Sequence, residues 1–185
     1  MNRIRIITTA VLVVLASQVL AQGKYFTKSG YVHFYASTAV ENIEAKNNKG
    51  TCVLDAKTGA VEMQILLKAF EFERALMQEH FNENYVESDK YPKSTFKGSI
   101  SNIASIDFSK DGTYPVEMKG TLTIHGVTKN ITPKSKIVIK GGKVNALTSF
   151  TILLADYNIE IPSVVADKIS KTVKIDANMW LDPLK

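Results

Sequence analysis

The chain has 185 residues, 45% of them hydrophobic and 22% charged, a composition that excludes disordered and collagen-like proteins. Its single cysteine, Cys52, excludes an intramolecular disulfide framework, so the core must come from apolar packing. The formal charge of +5 is the one unusual quantity, and it raises the question of a polyanionic partner.

Residues 1–21 carry two early cations, an apolar run and small or apolar residues up to Ala21, the three-part pattern of a secretory signal peptide. A membrane span needs about 20 mostly apolar residues, and Ser17, Gln18 and Gln22 interrupt this run early. Cleavage after Ala21 is therefore expected, giving a periplasmic or secreted protein. Removing 21 of 185 residues leaves 164, a single domain over residues 22–185. Arg3 and Arg5 leave with the signal, so 21 of the 23 cations face 18 acidic residues and the net charge falls to +3. Arg74 is then the only arginine, and aromatic residues do not interleave with a basic stripe. No nucleic-acid partner is expected, because phosphate and base recognition favour guanidinium groups and stacking platforms. Lys129, Lys134, Lys136, Lys140 and Lys143 read instead as a solvated edge that discourages strand addition. A transient membrane contact and a homodimer stay open.

In chain order, residues 31–37 alternate Val32, Phe34 and Ala36 with Tyr31, His33 and Tyr35, which predicts a strand. Residues 50–55 and 61–68 predict two more, joined by a turn at Lys57-Thr58-Gly59, with Val61, Met63, Ile65 and Leu67 on one face. The period then changes: Phe72 with Leu76 and Met77 with Phe81 stand four apart among acidic residues, predicting a short surface helix over residues 70–84. Strands resume at residues 95–101 and 103–108. After a turn at Asp111-Gly112, a long strand over residues 114–124 sets Val116, Met118, Leu122 and Ile124 against Glu117, Lys119, Thr121 and Thr123, with Gly120 as a bend. His125-Gly126 turns into residues 127–132, residues 137–140 follow Pro133, and Gly141-Gly142 turns into residues 143–154. A loop covers residues 156–167. Residues 170–181 close the chain with Val173, Ile175, Ala177, Met179 and Leu181 on one face.

This makes about eight antiparallel strands with one helical excursion, all-β and without a parallel βαβ rhythm, repeat or linker. Such a sheet can form a sandwich, or close into a barrel holding a slender ligand. Periodicity alone does not choose between them.

The stretch Gly120-Thr121-Leu122-Thr123-Ile124-His125-Gly126-Val127-Thr128-Lys129 resembles the signature of the YceI-like, polyisoprenoid-binding family, Gly-x-Leu-Thr-x-x-Gly-x-Thr-Lys. Glu87 to Gly98, with Tyr91-Pro92 ahead of Phe96, is similar to that family's strand entry after its helix. The resemblance spans about residues 31–181. It implies a single antiparallel eight-stranded lipocalin-like barrel with one short helix inserted between strands, holding an isoprenoid chain in an apolar tunnel without catalysis or a cofactor. Ligand contacts are then expected from the inward faces: Phe34, Met63, Ile65, Phe96, Val116, Met118, Leu122, Phe150 and Ile152, with Val32 and Val61 beside them. The same residues would equally fill a solid core, and a packed, ligandless interaction module is the rival reading. Two departures fall at the polar end of the site: Ala155-Asp156-Tyr157-Asn158-Ile159 stands where other members carry an Asp-Phe-Gly segment, and Glu73-Arg74-Ala75 replaces a helix start similar to Arg-Asp-His. The segment 70–84 and the loop 156–167 are the expected entrance.

Enzyme chemistry finds little support. His33, His80 and His125 are not at metal-ligand spacing and read as surface or turn residues. Cys52 reads as a buried, inert thiol. Ser88-Asp89 lacks the strand–turn–helix glycine pattern of a nucleophile elbow.

Overall fold

A computed structural model describes residues 23–184; the expected leader lies outside them. Ten strands form in chain order: β1 (Lys24–Ser37), β2 (Asn42–Asp55), β3 (Ala60–Leu66), β4 (Glu71–Phe72), β5 (Lys93–Ile100), β6 (Gly112–Ile124), β7 (Val127–Ile131), β8 (Lys134–Lys140), β9 (Lys143–Leu153) and β10 (Thr172–Pro183). Eight of them run around a closed antiparallel barrel in the order β1-β10-β9-β8-β6-β5-β3-β2, and β1 pairs back with β2 to complete the ring. The short strand β4 adds to β2, and β7 adds to β6. The all-β, eight-stranded barrel expected from the family resemblance is the architecture observed.

Turn chemistry fixes the register. Asp55 accepts the backbone N–H groups of Lys57 at 2.8 Å and Thr58 at 3.0 Å, which nucleates the β2–β3 hairpin. His125-Gly126 and Gly141-Gly142 place both central residues in the left-handed region, at φ 51° and 75° and at φ 57° and 75°. These are primed two-residue turns, whose twist matches that of the flanking strands.

The barrel is not of uniform width. β2 pairs with β3 only through Thr51–Leu54, and higher up its Ala45 and Lys46 pair with β4 instead. Likewise β6 pairs with β8 through Gly112–Glu117, and its far half, Gly120–Ile124, pairs with β7. Toward that end β4 takes the place of β3 beside β2, and β7 takes the place of β8 beside β6, so the continuous eight-strand ladder is interrupted on two sides. That end is no longer held to the eight-strand circumference and is the wider one. Two seams without ladder bonds result, β3/β4 and β7/β9. Beside the first, Asn47 of β2, fully buried, holds the end of β3 by donating from Nδ2 to the Leu66 carbonyl at 2.9 Å.

The narrow end is filled by Cys52, Leu54, Val61, Ile100, Val116, Ile137, Ile139, Val144 and Leu181, all buried. Lys129, Lys134, Lys136, Lys140 and Lys143 stand exposed along β7, β8 and β9.

Three predicted elements differ. The helix is shorter than residues 70–84: α1 covers Ala75–His80 and continues as a π-turn over Phe81–Tyr85, while Glu71–Phe72 joins the sheet. The four-residue spacing misled because the phenylalanines of this segment point into the barrel rather than along one helix face. Residues 103–108 form a 3₁₀ turn at Ile103–Ser105 and no strand. Asn102 takes the place of a strand partner there, donating to the Pro115 carbonyl at 3.1 Å and accepting the Glu117 N–H at 2.9 Å. Finally, β1 and β2 each begin well before residues 31 and 50, with register shifts between Thr27 and Gly30 and between Gly30 and Val32. Those irregularities break the two-residue alternation by which a strand is recognised in sequence.

Candidate ligand cavity

The wide end encloses an apolar cavity of about 490 Å³. Its wall is built from alternate, inward-facing positions: Val32, Phe34 and Ala36 of β1, Met63 and Ile65 of β3, Phe96 of β5, Met118, Leu122 and Ile124 of β6, Phe150 and Ile152 of β9, and Val173, Ile175, Ala177 and Met179 of β10. Eight of the nine residues expected at the ligand line it: Phe34, Met63, Ile65, Phe96, Met118, Leu122, Phe150 and Ile152. Val116 does not; it lies in the narrow end beside a void of about 10 Å³, together with Val61.

The floor is defined by residues that face both spaces. Met63, Met118 and Thr148 line the large cavity and the small void below it. Met179, fully buried, completes the floor from β10. Two pairs of facing glycines make room for buried side chains, the first for Met179 and the second for Phe96. Gly30 lies opposite Gly50, and a methyl group on Gly30 would overlap the Met179 sulfur. Gly98 lies opposite Gly120, and a methyl on either would strike the Phe96 ring. Gly120 thus marks a close approach of the Lys97 carbonyl and the Phe96 ring.

The segments expected at the entrance do surround the mouth. Four phenylalanines stack there: Phe34 of β1 packs on Phe70, Phe72 and Phe81 at 5.2, 5.7 and 5.6 Å between centroids. Tyr85, Val86, Leu154, Ile159 and Ile169 add to the cover. Phe34 apart, none of these cover residues was singled out from sequence as a ligand contact. The signal available was the density of aromatic residues between 70 and 85, which helical spacing assigned to a surface face.

Polar groups are sparse and unevenly placed. Inside, Ser94 is satisfied by the Thr123 carbonyl at 2.9 Å and Thr148 by the Ser135 hydroxyl at 3.2 Å, so neither demands a ligand partner. The ionisable lining groups, Glu41, Arg74, His80 and Lys168, come from the loops and helix at the mouth, where Arg74 pairs with Glu41. An occupant would meet hydrocarbon along its length and charge only at its outer end.

His125 secures the second seam. Its Nδ1 lies 3.1 Å from the Tyr157 carbonyl, in the turn after β9, and its Nε2 lies 2.6 Å from Glu87. The Tyr91 ring packs edge-on at 4.8 Å. Glu87, His125 and Asn158 are the non-glycine residues with positive φ among the described residues, at 44°, 51° and 54°. All three belong to this junction, so strained backbone is concentrated where the cover is tied to the barrel.

The groups weighed for catalysis are dispersed. His33 bonds Glu44 at 3.0 Å on the barrel exterior, and His80 stands at the mouth. His125 is more buried than a turn residue is expected to be, and both its nitrogens are engaged. Ser88 is buried and its hydroxyl makes no hydrogen bond, while Asp89 pairs with Lys68 at 2.5 Å. Burial pushes the Cys52 thiol up to about 12, so it stays protonated and unreactive. Among the described residues no cluster of His, Cys, Asp or Glu could hold a metal, and no helix is long and apolar enough to cross a membrane.

A closed antiparallel barrel around an apolar cavity, floored at one end and covered at the other, is a barrel of the lipocalin-like kind. The chain belongs to the YceI-like domain family, whose model matches residues 25–181. Similar solved structures include a polyisoprenoid-binding domain from Saccharophagus degradans implicated in plant cell wall breakdown, at 16% identity and a TM-score of 0.77, covering 88% of this chain and 99% of that one. BcnA of Burkholderia cenocepacia follows at 16% identity and TM-score 0.67, covering 82% and 95%. The YceI protein of Campylobacter jejuni is similar at 19% identity and TM-score 0.54, covering 76% and 84%. No curated protein matches the chain significantly.

Proposed function

We propose that the protein binds an amphiphilic isoprenoid lipid, of polyprenyl or quinone type, and carries or stores it in the periplasm after removal of residues 1–21. The role is non-catalytic. The observation that carries this reading is the asymmetry of the cavity: about 490 Å³ of apolar space, with its ionisable lining groups confined to the mouth. Such a site gains from hydrocarbon burial, about 0.8 kcal/mol per methylene, and leaves a polar head at the rim. The polyisoprenoid-binding domain of similar fold supports an isoprenoid over other lipids. Phe34, Met63, Ile65, Phe96, Met118, Leu122, Phe150 and Ile152 are the proposed contacts. A packed, ligandless module would account only for the narrow end.

The test is mass spectrometry of lipid extracted from the protein purified from its native compartment, followed by offering isoprenoids to the delipidated protein. A stoichiometric isoprenoid is expected. Protein that carries no lipid and takes up none when offered would overturn the reading.

A further inference from the structure

The cavity has a floor, and a floor sets a length. Met63, Met118 and Thr148 face both the cavity and the void of about 10 Å³ beneath, which is too small for a methyl group. Below them the narrow end is packed solid. Met179 is held in place rather than free to swing aside: its sulfur occupies the niche left by the facing glycines Gly30 and Gly50. An apolar protein cavity of about 150 Å³ holds one benzene, which corresponds to roughly 25 Å³ per carbon. At that packing, the space of about 490 Å³ takes about 20 carbons, or four prenyl units.

We infer that the site selects a single apolar chain of about four prenyl units, its far end stopped by Met179 and Met118, and that longer polyprenyl chains leave their excess outside the barrel. The inference rests on the proposed lipid-binding function and adds the length class of its ligand. It makes Met179 and Met118 determinants of specificity, acting by where they end the cavity. Each prenyl unit buried below the mouth adds apolar contact, whereas a unit beyond the limit finds only water or the exposed rim. Affinity should therefore climb with chain length and then stop climbing. Filling the cavity from its wall should shorten the limit, and removing floor atoms should lengthen it.

The experiment measures binding of geraniol, farnesol, geranylgeraniol, geranylfarnesol and octaprenol to the delipidated protein by displacement of a fluorescent fatty-acid probe. Affinity should rise at least about tenfold per added unit up to geranylgeraniol and change less than about threefold beyond it. Ala177→Leu adds three carbons to the wall without disturbing the floor, and it should shrink the gain from farnesol to geranylgeraniol severalfold, since about 17 carbons then fit. Met179→Ala removes three heavy atoms from the floor, and it should let geranylfarnesol bind about tenfold tighter than geranylgeraniol. A wild-type affinity that keeps rising to octaprenol would overturn the length limit while leaving lipid binding intact. An unchanged gain from farnesol to geranylgeraniol in the folded Ala177→Leu protein would also overturn it. If none of the alcohols displaces the probe, the lipid-binding function itself fails, and the length limit with it.

Discussion

Replacing Gly30 by alanine tests the floor without touching the cavity wall. The position is sterically closed: the new methyl would overlap the Met179 sulfur and lie 3.1 Å from the Gly50 carbonyl oxygen. Gly30 does not need a positive φ, so the backbone itself accepts alanine. Reduced unfolded-state entropy would even favour the substitution by about 0.4–1 kcal/mol. Against that gain stands overpacking, typically about 1–3 kcal/mol, because Met179 is fully buried and cannot yield toward solvent. A net loss of about 1–2 kcal/mol is expected, or about 2–8 °C in Tm for a domain of this size. Met179→Ala alone should cost about 2–5 kcal/mol by opening a cavity. In that background the Gly30 methyl enters vacated space, so the double variant should be no less stable than Met179→Ala. Urea unfolding of the four proteins yields the coupling energy directly, and about 1–2 kcal/mol is expected. Additive effects would show that Met179 does not sit in the glycine niche, and the argument for a fixed floor would fall with it.

Other outcomes follow from groups outside the floor. His125→Ala removes the bonds to the Tyr157 carbonyl and Glu87 and should cost about 2–3 kcal/mol, with amide exchange accelerating around residues 157–170 before other regions; uniform exchange would refute a local tie. Cys52, buried and with its thiol pushed up to about 12, should not react with a thiol reagent at neutral pH until denaturant unfolds the barrel; prompt labelling of native protein would contradict this burial. The N–H groups of Thr58 and Lys57 hold the Asp55 carboxyl below its ordinary range. A depressed folded-state value stabilises the fold above the unfolded pKa, and that contribution disappears as the pH falls through the folded value. The stability difference between wild type and Asp55→Asn should therefore be flat above about pH 4 and shrink below it; a difference that grows in acid would reverse the assignment.

The sequence on its own determined the class of structure and the identity of most wall residues. Two-residue alternation in β6, β9 and β10 sorts inward from outward side chains wherever a strand is regular, so Met118, Leu122, Phe150, Ile152, Val173 and Met179 could be placed on inner faces without coordinates. The Gly120–Lys129 stretch supplied the family. Alternation is local, however, and says nothing about depth along a barrel. Val116 and Met118 stand two apart on one face of β6, yet one is buried in the packed end and the other floors the cavity. The difference arises because the eight-strand ladder is interrupted at one end only, where β4 and β7 take over from β3 and β8 as partners of β2 and β6. The location of the cover was legible but its inward contacts were not, for a related reason: Phe70, Phe72 and Phe81 reach the mouth from a turn, a strand and a π-turn, and no single period describes all three. Apolar content and strand pattern follow from neighbours in sequence, whereas the division of that content between core and cavity depends on which strands pair at each level, which only the closed sheet decides.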